Sequence, residues 1–149
     1  MFSALLEGII KRENYPVVDE DNVEEFLAKS GDVILFVAGE ARRLVEVNDV
    51  AVILPELVKA SSGRLTAAVV DRKSETKIQL RYRFNAFPAL VFLRKGEYLG
   101  VITRVLDWHD YLVEIPKILA REPAPPPAYE FPAGCGGPGQ AEKLRQKSP

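Results

Sequence analysis

The stretch that most constrains this chain is Phe84–Trp108, FNAFPALVFLRKGEYLGVITRVLDW. Ala89–Arg94 is a short apolar run of strand-formers, Lys95-Gly96-Glu97 follows as a turn, and Tyr98–Val105 is a second β-rich run containing Gly100. Two such runs joined by a short Gly-containing connection predict an antiparallel hairpin. Pro88 stands immediately before the first run. Without an N–H to give to a ladder, a proline belongs at the first residue or edge of a strand, and it presses the preceding residue, Phe87, into an extended conformation. A cis bond at this position would turn the segment into a rigid shelf whose neighbouring backbone groups could hold an extended peptide. The residues alone leave the isomer open.

A chain of 149 residues suits one domain with a real core and a tail. Its 47% hydrophobic and 28% charged content is that of an ordinary water-soluble domain. The formal net charge of −1 argues against nucleic-acid binding by bulk electrostatics. No apolar run approaches membrane-spanning length, so membrane insertion is not expected. The start, MFSALLEGIIKREN, has no basic segment ahead of its apolar residues and is interrupted by Glu7, which argues for a cytoplasmic protein rather than an exported one. Cys135 is the only cysteine, so an intramolecular disulfide and a cysteine-pair redox or zinc site are excluded. No His/Cys cluster is present to hold a metal, and no cofactor is expected.

Read in order, residues 1–13 form a short amphipathic helix through Leu5, Leu6, Ile9 and Ile10, and Tyr15–Val18 is extended. Asp21-x-x-Glu24 is a capping-box start for a helix that buries Val23, Phe26 and Leu27 and that Gly31 can end. Val33–Val37 is apolar without alternation, as in a strand covered on both faces. After a charged connection, Val50–Ala60 reads as a helix with Pro55 inside it, a kink site. Arg64–Val70 is another strand, and Ser74 is a plausible N-cap for a helix to about Tyr82. After the hairpin, Asp107 caps a last helix, with Leu106 and Tyr111 at its staple positions and Trp108, Tyr111, Leu112, Ile115 and Leu119 as its buried face; Pro116 should bend or shorten it. Alternating elements with two apolar inner strands give an α/β fold, a central mixed β-sheet flanked by helices with the hairpin at one side. Residues 1–119 are expected to form this domain. From about Ala120 the composition turns Pro/Gly-rich, and 120–149 is expected to be a flexible tail.

The apolar strand at 33–37, the kink proline Pro55, GRLTAAVVD at 63–71 and YRFNAFPALVFLRKGE at 82–97 resemble, in order, a thioredoxin-like fold over roughly residues 15–119. The resemblance implies that Pro88 is cis. The loop where redox-active members carry a CxxC pair reads Gly39-Glu40-Ala41-Arg42-Arg43-Leu44, and Leu35 takes the place of their buried carboxylate. Thiolate chemistry needs a thiol, so thioredoxin-like activity is excluded. More narrowly, NDVAVILPEL, RLTAAVV and FPALVFLRKGEYLGVITRVLDWHDYL resemble the HyaE/HupG-type hydrogenase expression/formation proteins. That resemblance implies a non-catalytic, redox-inactive, cytoplasmic chaperone of nickel–iron hydrogenase maturation. Its implied partner is the hydrogenase small-subunit precursor, through its twin-arginine signal peptide, with other hydrogenase accessory proteins as further candidates.

Glu40, Glu46, Asp49 and Glu56 surround the former redox loop and its helix. They are either a solvated set of acids suited to a helix N-terminus or an acidic patch for paired arginines, which carboxylates can grip in a bidentate manner. Arg42 and Arg43 would oppose such a ligand unless paired internally. Phe87 and Pro88 either shape the hairpin or contact a bound peptide. The basic set Arg72, Lys73, Lys77, Arg81 and Arg83 reads as a solubilising helix face. His109, beside Asp107 and Asp110, lacks a nucleophile motif and reads as a surface histidine, so no catalytic residue is assigned. Gly134–Gly139 matches GxGxxG but has no strand before it and no apolar helix after it. An alternative function is a protein–protein adaptor or structural subunit, using the sheet edge or the PxxP-like spacing at Pro123–Pro126.

Overall fold

In the computed structural model, which describes residues 2–40 and 44–127, the expected hairpin is one side of a five-stranded sheet. In chain order the elements are α1 (Ala4–Glu13), β1 (Val17–Val18), α2 (Val23–Lys29), β2 (Asp32–Val37) and α3 (Leu44–Ala60). They continue with β3 (Leu65–Val70), a 3-10 turn (Arg72–Ser74), α4 (Glu75–Tyr82), β4 (Ala89–Arg94), β5 (Glu97–Ile102) and α5 (Trp108–Leu119). The strand order is β1-β3-β2-β4-β5. β3 runs parallel to both β1 and β2, with α3 as the crossover from β2, whereas β4 is antiparallel to β2 and β5. This is the α/β arrangement expected from the sequence, a central mixed sheet flanked by helices with the hairpin at one side.

The inner strands lack alternation in sequence because both faces of the pleat are covered. Ile34 and Phe36 of β2 point to one face, packing with Val69, Leu90 and Phe92 beneath α1, α3 and α5. Val33, Leu35 and Val37 point to the other, with Ala68, Val91 and Leu93 beneath α2 and α4. The two-residue turn Lys95-Gly96 has positive φ at both positions (52° and 87°), the geometry that a tight hairpin demands and Gly supplies cheaply. At the far end of the sheet Asp32 is clamped by Arg64 (2.8 Å) and Arg94 (2.9 Å). Both guanidiniums also donate to the Leu119 carbonyl, tying the end of α5 to the sheet. Burial by itself pushes the Asp32 carboxyl up, but the hydrogen bonds and charges of the two arginines outweigh it and hold the carboxyl below its usual range.

Several local expectations are corrected. The Asp21–Glu24 capping box does not form: Asn22 is the N-cap of α2, without a side-chain bond to the helix. The Asp19 carboxylate instead accepts from the Asp21 and Asn22 N–H groups, both at 2.9 Å, a local turn that competes with the box. Ser74 makes no side-chain cap on α4; its hydroxyl accepts the Glu20 N–H at 3.0 Å and ties the approach to α2 onto α4. Asp107 is the N-cap of α5 but likewise makes no side-chain cap bond. Helix α3 starts at Leu44 rather than Val50, because Val47 continues the buried spacing of Val50, Ala51 and Leu54 beneath a charged exterior. Strand β5 stops at Ile102, paired with Leu90 near the start of β4, so residues 103–105 have no ladder partner. In α5 the buried stripe is Tyr111, Ile115, Ile118 and Leu119, while Trp108 and Leu112 are 41% and 43% exposed. Trp108 sits in the first turn, beyond the core, and Leu112 is one helical step off the stripe. The helix runs past Pro116 to Leu119. No helix among the described residues is long and apolar enough to cross a membrane.

Candidate peptide-binding crevice

Strand β2 ends at Val37 opposite Ala89, the first residue of β4. The chain therefore leaves the sheet through Ala38-Gly39 alongside the turn that carries Phe87 and Pro88. The Phe87–Pro88 bond is cis. Pro88 is buried, and the half-buried Phe87 ring meets Phe84 edge-on, with centroids 5.6 Å apart and planes at 83°. Gly39 has φ +88°, and a Cβ added there would lie 2.4 Å from the Phe87 Cβ. Glycine is required at this point both by its backbone angle and by the close approach.

A buried carboxylate braces the same loop. The Gly39 N–H donates to Glu75 Oε2 at 3.1 Å, and Arg72 Nε donates to Glu75 Oε1 at 3.1 Å. Glu75 is 7% exposed at the start of α4. Burial pushes its carboxyl above the ordinary value, and the Gly39 hydrogen bond and the Arg72 guanidinium recover only part of that shift. Sequence reasoning missed this residue, because an Arg-x-x-Glu pair at a helix start is usually solvated. Leu35, read as the substitute for a buried acid, is wholly enclosed by apolar side chains on the α2/α4 face. An acid does reach the Gly39 loop, but it arrives from α4.

The sequence-derived acids fall in two places. Glu40 is exposed immediately after Gly39, and Glu46 is exposed in the first turn of α3. Val45, Asp49, Val52 and Glu56 recur at i, i+4, i+7 and i+11, and all are exposed, so acids and valines alternate along one stripe of α3. Glu56 is roughly 15 Å along the helix axis from Glu46, and it lies 3.7 Å from Lys59. Its charge adds to the shift of Tyr15, a phenol pushed up to about 12 by burial first and Glu13 next. Asp49 instead adds to the burial that raises Tyr111. Ala41, Arg42 and Arg43 lie outside the described residues, as do Cys135, Gly134–Gly139 and the rest of the tail from residue 128 onward.

The basic set on the other face is largely engaged. Lys77 pairs with Glu20, Arg81 with Glu24 at 3.1 Å, and Arg72 with Glu75, so these side chains knit α4 to α2 and to its own first turn. His109, Asp107 and Asp110 are exposed at the start of α5, on a different element from the crevice. Among the described residues no group of three or more His, Cys, Asp and Glu side chains is placed to hold a metal ion. Here the Gly39 loop, braced by Glu75, lies beside the cis-Pro88 turn, with Glu40 exposed next to it.

Comparison with known proteins converges on one family. Residues 5–111 match the family described as "Hydrogenase-1 expression protein HyaE". The chain is 43% identical over 122 residues to the hydrogenase expression/formation protein HoxO of Azotobacter vinelandii, covering 82% of each chain. It is 39% identical over 119 residues to the hydrogenase expression/formation protein HupG of Rhizobium leguminosarum bv. viciae, covering 77% of this chain and 80% of that one. Among solved structures, the hydrogenase expression/formation protein HupG of Rhodopseudomonas palustris CGA009 shares 42% identity and superposes with a TM-score of 0.51, over 70% of this chain and 95% of that one. With its fold, its cysteine-free loop and these relatives in agreement, the chain belongs to the HyaE family of hydrogenase expression/formation proteins.

Proposed function

We propose that this protein is a non-catalytic, redox-inactive chaperone of nickel–iron hydrogenase maturation that works in the cytoplasm. It binds the twin-arginine signal peptide of the hydrogenase small-subunit precursor. Membership of the family supports a role in hydrogenase maturation. The observation that carries the finer reading is the contact of Gly39 with Phe87, which sets the loop bearing Glu40 directly against the cis-Pro88 shelf. An extended leader laid on the shelf brings its arginine pair to Glu40 and Glu46, where bidentate contacts supply orientation as well as attraction. Signal peptides follow their charged segment with an apolar one, and the exposed Val45 and Val52, interleaved with Asp49 and Glu56, suit that order. No thiol lies in the loop, so the interaction is non-covalent. Residues 1–119 form the binding domain in this reading, and 120–149 are an appendage to it.

Calorimetric titration of the full chain with a synthetic twin-arginine leader tests the proposal. Saturable binding is expected, weakened by Glu40→Gln and Glu46→Gln together. No binding of wild type to either the leader or the whole precursor overturns it.

A further inference from the structure

We propose that the open groove between the end of α4 and the β4–β5 turn is a binding site for extended proline-rich peptides, occupied in this chain by its own residues 123–126. With residues 123–126 in place a space of about 370 Å³ remains open, lined by Arg81, Tyr82, Gly96 and Tyr98 and by Pro123 and Pro126 themselves. The Tyr82 and Tyr98 rings stack with centroids 6.3 Å apart and planes 17° from parallel. The Arg81 guanidinium sits 5.3 Å from the Tyr82 ring centroid. The partly exposed Tyr98 ring, backed by the buried Tyr82 and beside an edge strand, suits a polyproline-type ligand, because that conformation makes no internal hydrogen bonds and leaves its backbone groups to the receptor.

The resident segment uses those features. The Ala124 N–H, in a run otherwise made of prolines, donates to the Tyr98 carbonyl at 3.1 Å. Arg83 Nη1 donates to the Pro126 carbonyl at 3.3 Å, and Arg121 Nη1 to the Leu99 carbonyl at 3.1 Å. β5 is an edge strand with a register shift opposite Phe92/Leu93, which leaves Leu99 without a partner in the ladder. Ala124 and Arg121 thus engage successive carbonyls of the edge strand. One group stays unserved: the Tyr82 hydroxyl is buried and has no hydrogen-bond partner among the described residues.

The groove tyrosines lie within the family match, which covers residues 5–111. Residues 123–126 are one ligand for this groove, held at an effective concentration on the order of millimolar. A Pro-x-x-Pro segment of a partner binds by displacing them. This docking is independent of leader binding in the crevice.

The test uses the full chain and a fluorescein-labelled peptide with the sequence of residues 121–127. The strap-weakened chain Pro123→Ala/Pro125→Ala/Pro126→Ala is expected to bind the peptide at least about tenfold more tightly than the intact chain, measured by anisotropy. Adding Tyr98→Leu should reverse that gain. Amide resonances of Tyr82, Gly96 and Tyr98 should move on peptide addition to the strap-weakened chain, and those of Gly39 and Phe87 should not. Equal binding by intact and strap-weakened chains, no binding by either, or resonance shifts confined to the crevice overturns the proposal. A twin-arginine leader serves as the second probe, and its success or failure at the crevice is read separately.

Discussion

Replacing Gly39 with alanine puts the most weight on the crevice geometry. Two costs add. At φ +88° an L-residue meets steric strain on the order of 1–2 kcal/mol. The new methyl also lands 2.4 Å from the Phe87 Cβ and 2.8 Å from its Cγ. A Cβ cannot rotate away, and the ring it carries is held against Phe84, so relief requires the backbone beside Pro88 to move. Such overpacking typically costs about 1–3 kcal/mol. The total of about 2–5 kcal/mol corresponds, at a urea slope of roughly 2 kcal/mol/M, to a midpoint lowered by about 1–2.5 M. Phe87→Gly removes the clash and leaves the backbone strain. A double-mutant cycle between Gly39→Ala and Phe87→Gly should therefore show a coupling of about 1–3 kcal/mol. A midpoint shift below about 0.3 M, or no coupling, would refute the claim that loop and shelf are pressed together.

Two further perturbations probe the charges around this frame. In Glu75→Gln a single amide oxygen replaces two carboxylate oxygens, so either the Gly39 N–H or Arg72 Nε loses its acceptor, and the direct cost is about 1–3 kcal/mol. Because burial raises the folded-state carboxyl, the folded chain binds a proton more readily than the unfolded one. The Glu75 contribution is thus full below the ordinary carboxyl value of 4.5 and lost as pH rises through the raised one. Urea midpoints measured across this range should fall with rising pH in wild type more than in the variant. Asp32 has the opposite sign: its carboxyl is held below 3.8, so its stabilisation is present above that value and lost as pH falls through the lower one. Asp32→Asn should cost about 1–3 kcal/mol at neutral pH and flatten the acid limb of the unfolding curve, followed by circular dichroism.

The hairpin was legible because Lys95-Gly96 supplies the positive φ that a two-residue turn requires, and β2 because an unbroken apolar run fits a strand covered twice. The phase of α5 was misread: tryptophan carries hydrophobicity wherever it stands, and only the sheet below decides that Tyr111 and Ile118 face inward. The length of α3 was hidden by charges on its outer face, beneath which Val47 keeps the helical spacing. Glu75 could not be found in sequence, since its burial arises when the end of β2, 36 residues earlier, comes down upon it. Asp32 is in the same position, gathering arginines 32 and 62 residues away. The seating of residues 123–126 depends on backbone carbonyls at a bulged edge, which side-chain pattern does not encode. Of the candidate acids, the spacing of Asp49 and Glu56 was readable, but not that valines would share their exposed stripe.

The central claim is that an α/β frame with no cysteine in its loop grips a leader through fixed acids and the cis-proline shelf. Its most direct test is the calorimetric titration repeated with a leader in which both arginines are replaced by lysine. Lysine keeps the charge but loses the forked geometry. A drop of at least about tenfold in affinity is expected, from the loss of 1.4 kcal/mol or more of bidentate contact. Equal affinity for the two leaders would contradict the account.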